Sequence, residues 1–304
     1  MKAKVSVYAI IAVTVLLTGW LGWKVKDRLT GPRVDPRTVS SEPALTIRAS
    51  YVTGTPPETP DAPAWQKAEP VDVPVGFQVL ALPWSRSNKP PMRVQALRTA
   101  DRVYFRLAWP DVTENRQSAA PQRFADAVAI MFPLKVEQPV TLMMGFLGPA
   151  EIWQWKADWD QKFWAAAPQP AVYADFYPFD NDPTFHPARS AGNLRAVAKP
   201  PSAVETLTAD GPGTVQSRAQ QRVQGRGAWK DGRWQVVMSR ALAAESADDY
   251  VFSSGVRRRI AFAVWDGAQA ERGARKSISE WVWLELVAPP AQTAAAGGPD
   301  PARR

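Results

Sequence analysis

The chain has no cysteine and one histidine, His186, in 304 residues. Lack of cysteine excludes disulfides, thiolate metal sites and covalent haem attachment through a C-x-x-C-H motif. A single histidine excludes bis-histidine haem and leaves zinc or non-haem iron without their usual nitrogen ligands. His186 stands between Phe185 and Pro187, with no Ser or Asp in nucleophile-elbow spacing, so a Ser-His-Asp hydrolase has no support. No glycine-rich dinucleotide fingerprint follows a strand and no P-loop occurs. Long helical periodicity is scarce, and 29 prolines argue against a helical domain.

What is present is basic, aromatic and β-patterned. Net charge is +8, but the cations are scattered and the only dense run is Arg257–Arg258–Arg259. That pattern reads as a solvated basic surface and predicts no nucleic-acid partner. Fourteen Trp are available for apolar pockets or core. Residues 5–23 form an uncharged run between Lys4 and Lys24, with Trp20 and Trp23 near its end. At 1.5 Å per residue such a helix reaches roughly 28 Å, about one hydrocarbon thickness. No small-x-small cleavage site follows Leu17, so the expectation is an uncleaved single-pass anchor in the cytoplasmic membrane with the bulk of the chain exported.

The predicted organisation is an anchor, or alternatively a signal, over 1–26, a Pro-bearing linker over 27–43, a β domain over 44–288 and a disordered Ala/Pro/Gly-rich tail over 289–304. Short alternating runs recur at 94–97, 103–109, 127–132, 140–144, 234–239, 260–265 and 281–286. Turn residues such as Lys230-Asp231-Gly232-Arg233 separate them, which predicts a sandwich or barrel. Residues 165–201 carry seven prolines among several aromatics and read as a long loop excursion.

If a metal cofactor is present, its ligands come from softer donors. Met144 precedes Gly145, where a bend re-aims the side chain. Met sulfur is a good axial ligand for haem iron. Lys nitrogen ligates only as the neutral amine, so it needs an apolar site that lowers its pKa. Lys276 leads into a Trp-rich strand, and alternation puts it on one face with Ile278. Read as residues alone, a Met in a strand is usually core and a Lys at a strand start is usually solvated.

The run Met144-Gly145 followed by Trp153-Gln154-Trp155-Lys156-Ala157-Asp158 resembles the haem-binding domain of the ethylbenzene dehydrogenase family. The resemblance continues through Ala191-Gly192-Asn193, through Gly225-Arg226-Gly227-Ala228-Trp229 and its continuation to Arg240, and through Ile260 to Gly267. It closes on Lys276-Ser277-Ile278-Ser279-Glu280-Trp281. It implies an all-β fold: a β-sandwich with one non-covalent haem b in an apolar pocket between the sheets. Its axial ligands would be Met144 and Lys276, with Lys156 the alternative lysine. Trp153, Trp155, Trp265 and Trp281 would pack on the macrocycle. The chain would then be no enzyme itself. It would relay electrons between the iron–sulfur (beta) subunit of a periplasmic molybdopterin (alpha) enzyme and a c-type cytochrome or quinone-linked carrier. Two other readings are a haem-free, Trp-rich carbohydrate-binding module and a membrane tether for a complex.

Overall fold

The computed structural model describes residues 43–78, 89–118, 122–135, 148–166, 199–211 and 213–290, with the single positions 16, 18–20, 82, 191, 193, 194 and 197. It divides into two units, 1–42 and 43–304. In the first, residues 16 and 18–20 are helical. The expected anchor otherwise lies outside the described residues, among which no helix is long and apolar enough to cross a membrane. The 140–144 run, most of the 165–201 excursion and most of the tail also lie outside them.

The second unit is all-β apart from short helical pieces. Its strands are β1 (Thr46–Tyr51), β2 (Val71–Val73), β3 (Val75–Phe77), β4 (Met92–Arg98), β5 (Arg102–Pro110), β6 (Ala127–Pro133) and β7 (Ala150–Lys156), then β8 (Val204–Ala209), β9 (Gln216–Ser217), β10 (Gln224–Lys230), β11 (Arg233–Ala241), β12 (Arg258–Trp265), β13 (Ser277–Ser279) and β14 (Val282–Leu286). Among the described residues one α-helix, α1 (Ala157–Trp164), follows β7 directly. The expected runs at 94–97, 103–109, 127–132, 234–239, 260–265 and 281–286 fall within β4, β5, β6, β11 and β12 and across β14. The strands join in the order β10-β11-β5-β4-β1-β14-β12-β6-β7-β8-β9. β1 pairs in parallel with β14 and β4, and the other pairings are antiparallel. Asp231 and Gly232 link β10 to β11 with φ of 52° and 69°. Two consecutive positive φ values make the twist-matched hairpin turn that an Asp-Gly pair favours.

The strand path folds over into two layers. Ile47, Val94, Phe105 and Met238 from one half pack in a single apolar cluster with Ile130, Trp153, Trp155 and Phe262 from the other. Aromatic rings fill the middle: Phe132 and Trp153 lie 4.6 Å apart, and Trp155 and Trp234 lie 5.0 Å apart. A buried indole N–H needs an acceptor, and for three of the core tryptophans it is a buried carboxylate. Trp153 Nε1 donates to Glu151 at 2.7 Å, Trp155 Nε1 to Asp160 at 2.9 Å and Trp234 Nε1 to Asp126 at 2.9 Å.

β6, β7 and β12 form adjacent parts of one layer. Their side chains alternate between its faces. Val128, Ile130, Trp153, Trp155, Ile260 and Val264 face inward to the other layer. Ala127, Ala129, Met131, Ala150, Ile152, Ala261, Ala263 and Trp265 form a second apolar cluster on the outer face.

Candidate functional site

That outer face is the floor of a cavity of about 650 Å³, within the usual range for cofactor and ligand sites. Ala127, Ile152 and Gln154 line it from the sheet, Leu207 and Val215 from the β8–β9 side, Trp159 and Lys162 from α1, and Trp265 and Lys276 from the end of β12 and the start of β13. A smaller annex continues along the floor between Ala129, Met131, Ala261, Ala263, Ile278 and Lys276. Alanines at alternate positions of β6 and β12 keep this floor low and flat. Larger side chains, Trp265, Ile152 and Leu207, stand around it. Among the described residues, aromatic rings fill the expected gap between the two layers. The concavity lies on the outer face of one layer instead.

Lys276 is 3% exposed and lines both the cavity and its annex. Its neighbours include Trp265, whose ring centroid lies 5.4 Å from Nζ. Among the described residues, no hydrogen bond or ion pair is made by Nζ. Burial pushes the amine down from 10.5 to about 8. A lysine kept this dry and without a counter-charge among the described residues is rare, and burial makes its neutral form, with a free lone pair, far easier to reach than in an ordinary lysine.

Lys156 also lines the cavity, but its ammonium is paired with the fully buried Glu205, whose other oxygen accepts from Ser217 Oγ. Its Nζ also sits 4.4 Å from the Trp159 ring centroid. Both contacts favour the charged form, which is the wrong form for a metal ligand. Trp265 lines the cavity, held by a 3.0 Å hydrogen bond from Nε1 to the Gly273 carbonyl. Trp281 packs at the edge of the outer cluster. Trp153 and Trp155, expected on the macrocycle, instead face the interior between the layers. Met144 lies outside the described residues.

Several site residues were not picked out in the sequence. The alanine floor was legible as Ala127-x-Ala129 and Ala261-x-Ala263, both at the two-residue strand period. Met131 shares that period. Arg272, stacked 4.4 Å over the Phe124 ring, and Lys162 bring cationic groups to the cavity lining. Gln78 and Glu271, both buried, also line it.

A carboxylate cluster braces the segment that leads to Lys276. Oxygens of Asp111, Asp126 and Asp266 lie within 4.8 Å of one another. Asp126 accepts from the Asn115 and Gly267 amides, each at 2.8 Å, and Lys89 Nζ reaches Asp266 at 3.1 Å. Burial first, and then the Asp126 charge, pushes Asp111 up to about 7. Folded Asp111 therefore holds its proton up to about pH 7, whereas the unfolded group releases it near 3.8. The stability it contributes is complete below about pH 4 and is lost as pH rises to 7, a change on the order of 4 kcal/mol for the group alone. Asp111→Asn should keep the turn and remove that slope. Urea midpoints at pH 5 and pH 8 test this: the variant should outlast the parent at pH 8, and parallel pH profiles would refute it.

An alanine-floored cavity lined by a buried lysine on an all-β scaffold has the room and the chemistry for a flat apolar group. The comparisons agree with that reading. The family model described as ethylbenzene dehydrogenase matches residues 62–277, and the chain belongs to that family. It is 32% identical, over 82% of its length and 75% of the other's, to a "Putative respiratory nitrate reductase heme subunit ORF7" of Haloferax mediterranei. It is 29% identical to the "Dimethylsulfide dehydrogenase subunit gamma" of Rhodovulum sulfidophilum, over 64% of this chain and 60% of that one. It is 23% identical to the "Chlorate reductase subunit gamma" of Ideonella dechloratans, over 88% of this chain and 95% of that one. Among solved structures, a carbohydrate binding module of family 9 from Caldicellulosiruptor kristjanssonii in complex with cellotriose overlays with a TM-score of 0.43. It shares 10% identity, over 84% of this chain and 100% of that chain.

Proposed function

We propose that this chain is a haem b electron-transfer subunit of a molybdopterin oxidoreductase complex. In that complex it connects an iron–sulfur subunit to an external carrier and performs no substrate chemistry itself. The observation that carries the reading is the Lys276 amine: buried, unpaired and facing an alanine-floored cavity. Names of relatives as heme and gamma subunits add to it. The residues present fit the group. Lys276 would supply the axial nitrogen, Trp265 and the alanines the apolar walls, and Arg272 with Lys162 the charges that carboxylate substituents of the ring require. Bound there, haem b supplies one-electron redox chemistry, with a potential set by its axial ligands and by burial. This chain's own part is to make the amine easy to deprotonate, to exclude water from the floor and to orient the ring.

The axial sulfur is assigned to Met144, which lies in the connection between β6 and β7, two strands of the floor. Met131 on β6 is the competitor, since it lines the same annex as Lys276. Loading the purified chain with haem b decides the question. The parent should give a strong Soret band and low-spin reduced bands at one haem per chain. Met144→Ala should alter those bands and lower the potential, because thioether ligation favours ferrous iron, while Met131→Leu leaves both unchanged. A changed Met131 variant beside an unchanged Met144 variant would transfer the ligand to β6. A colourless parent protein would refute the haem reading. The sugar-binding alternative needs an exposed aromatic platform, whereas among the described tryptophans of this domain only Trp164 is exposed and Trp65, Trp153, Trp155 and Trp234 are fully buried. Anchoring in the cytoplasmic membrane, with this domain on the periplasmic side, completes the proposal. Deleting residues 1–26 should then release an active complex into solution.

A further inference from the structure

β3 runs antiparallel to β13, with Ser277 opposite Phe77 and Ile278 opposite Gly76. One step further along the ladder, the Gln78 amide donates to the Lys276 carbonyl at 3.2 Å. Gln78 and Lys276 are therefore directly opposed, and directly opposed residues of an antiparallel pair project on the same side with neighbouring Cβ atoms. Both line the cavity. Gln78 is 6% exposed, and its Oε1 is buried with no hydrogen-bond partner among the described residues.

An amide oxygen taken out of water and left unpaired is costly. Across the ladder stands an amine with no acceptor among the described residues. A neutral amine that gives its lone pair to a metal keeps two N–H donors. Metal ligands are oriented by hydrogen bonds to just such outer groups. We propose that Gln78 is the positioning residue of the haem site: its Oε1 accepts an N–H from the Lys276 amine when that amine ligates iron. This rests on the haem reading of the cavity. The choice of glutamine follows from the charge state required. Glu271, also buried with an unpartnered oxygen, is engaged through its other oxygen by Lys89 and by the Asp266 amide. An anionic acceptor would favour the ammonium, whereas a neutral amide orients the amine without favouring its proton as strongly.

The test uses the full chain loaded with haem b. Gln78→Leu removes the acceptor at similar volume. It should weaken haem binding about 10- to 100-fold, the usual effect of losing an outer-shell partner. Added imidazole should displace the lysine at lower concentration. The reduction potential should rise, because an amine without its acceptor is a weaker donor to ferric iron. Gln78→Glu restores an acceptor but, as an anion, favours the ammonium, so its haem affinity should stay below the parent's and fall more steeply than the parent's as pH is lowered. If Gln78→Leu does not fold, Gln78→Met carries the same comparison. Parent-like affinity, imidazole displacement and potential in the apolar variants would overturn the proposal while leaving the haem assignment standing. A parent chain that takes up no haem would defeat the reading of the cavity, and this inference with it.

Discussion

Lys276→Leu should yield a chain that is more stable without cofactor than its parent and unable to form a low-spin haem complex. The two effects have one cause. Burial alone lowers the amine to about 8 from 10.5, so below pH 8 the folded protein carries an uncompensated buried ammonium. The unfolded chain keeps that proton up to about 10.5, and the folded chain releases it near 8. Folding is therefore penalised in full below pH 8, and the penalty fades between about pH 8 and 10.5. At neutral pH the cost is about 3 kcal/mol, a large fraction of a domain's net stability. Leucine at the same place avoids it. Denaturation of the haem-free proteins at pH 7 and pH 10 should show the variant ahead at pH 7 and the gap narrowing by pH 10. A surface lysine would show neither effect, and a lysine selected for packing would show loss on substitution. A variant that is less stable at pH 7 and still takes up low-spin haem would remove Lys276 from the site. The pairing of lost function with gained stability is what a retained, strained functional group predicts.

The sequence made the strands legible more readily than it showed which way they face. Period-two alternation and turn residues locate most of the long strands, because both are local properties of a half-buried sheet. In Trp153-Gln154-Trp155-Lys156 the same alternation is visible, but it does not say which side meets the second layer. Trp153 and Trp155 were therefore expected on the cofactor, whereas Gln154 and Lys156 face the cavity. The deciding facts are long-range: Trp155 meets the backbone of β10, some seventy residues on, and Trp153 meets Phe105 at 5.9 Å. Lys276 was placed by resemblance rather than by pattern, since a lysine at a strand start is ordinarily wet. Its burial depends on the Gln78 ladder pair and the β12 floor, neither of which a local window contains. Alternate alanines on two strands carried the floor, but alanine is common and reads as filler until the register sets two such runs side by side.

Gly227→Ala should unfold the domain more readily, although strand propensity argues for the reverse. Glycine inside a strand costs roughly 0.5–1 kcal/mol relative to alanine, and Gly227 needs no unusual φ. The constraint is the space above it. A Cβ built there would lie 2.1 Å from Trp155 Cζ2 and 2.7 Å from Cε2. Trp155 has no route of retreat. It is fully buried, its ring meets Trp234 at 5.0 Å and Trp109 at 6.4 Å, and its indole N–H is tied to Asp160 Oδ1 at 2.9 Å. The same Asp160 oxygen accepts the Gly227 amide at 2.9 Å, so pushing strand and ring apart strains both hydrogen bonds. Overpacking a filled core costs typically about 1–3 kcal/mol, and the shared carboxylate puts this case at the upper end. Trp155 occupies the inner face of the strand whose outer face supplies Gln154 and Lys156 to the cavity. Displacement of the ring should thus also weaken haem uptake. Urea midpoints of Gly227→Ala, Trp155→Phe and the double variant resolve the coupling: the smaller ring should recover part of the loss caused by alanine, a favourable interaction in the double-mutant cycle. An alanine variant as stable as the parent, or additive effects across the cycle, would show that the two layers do not meet at this contact.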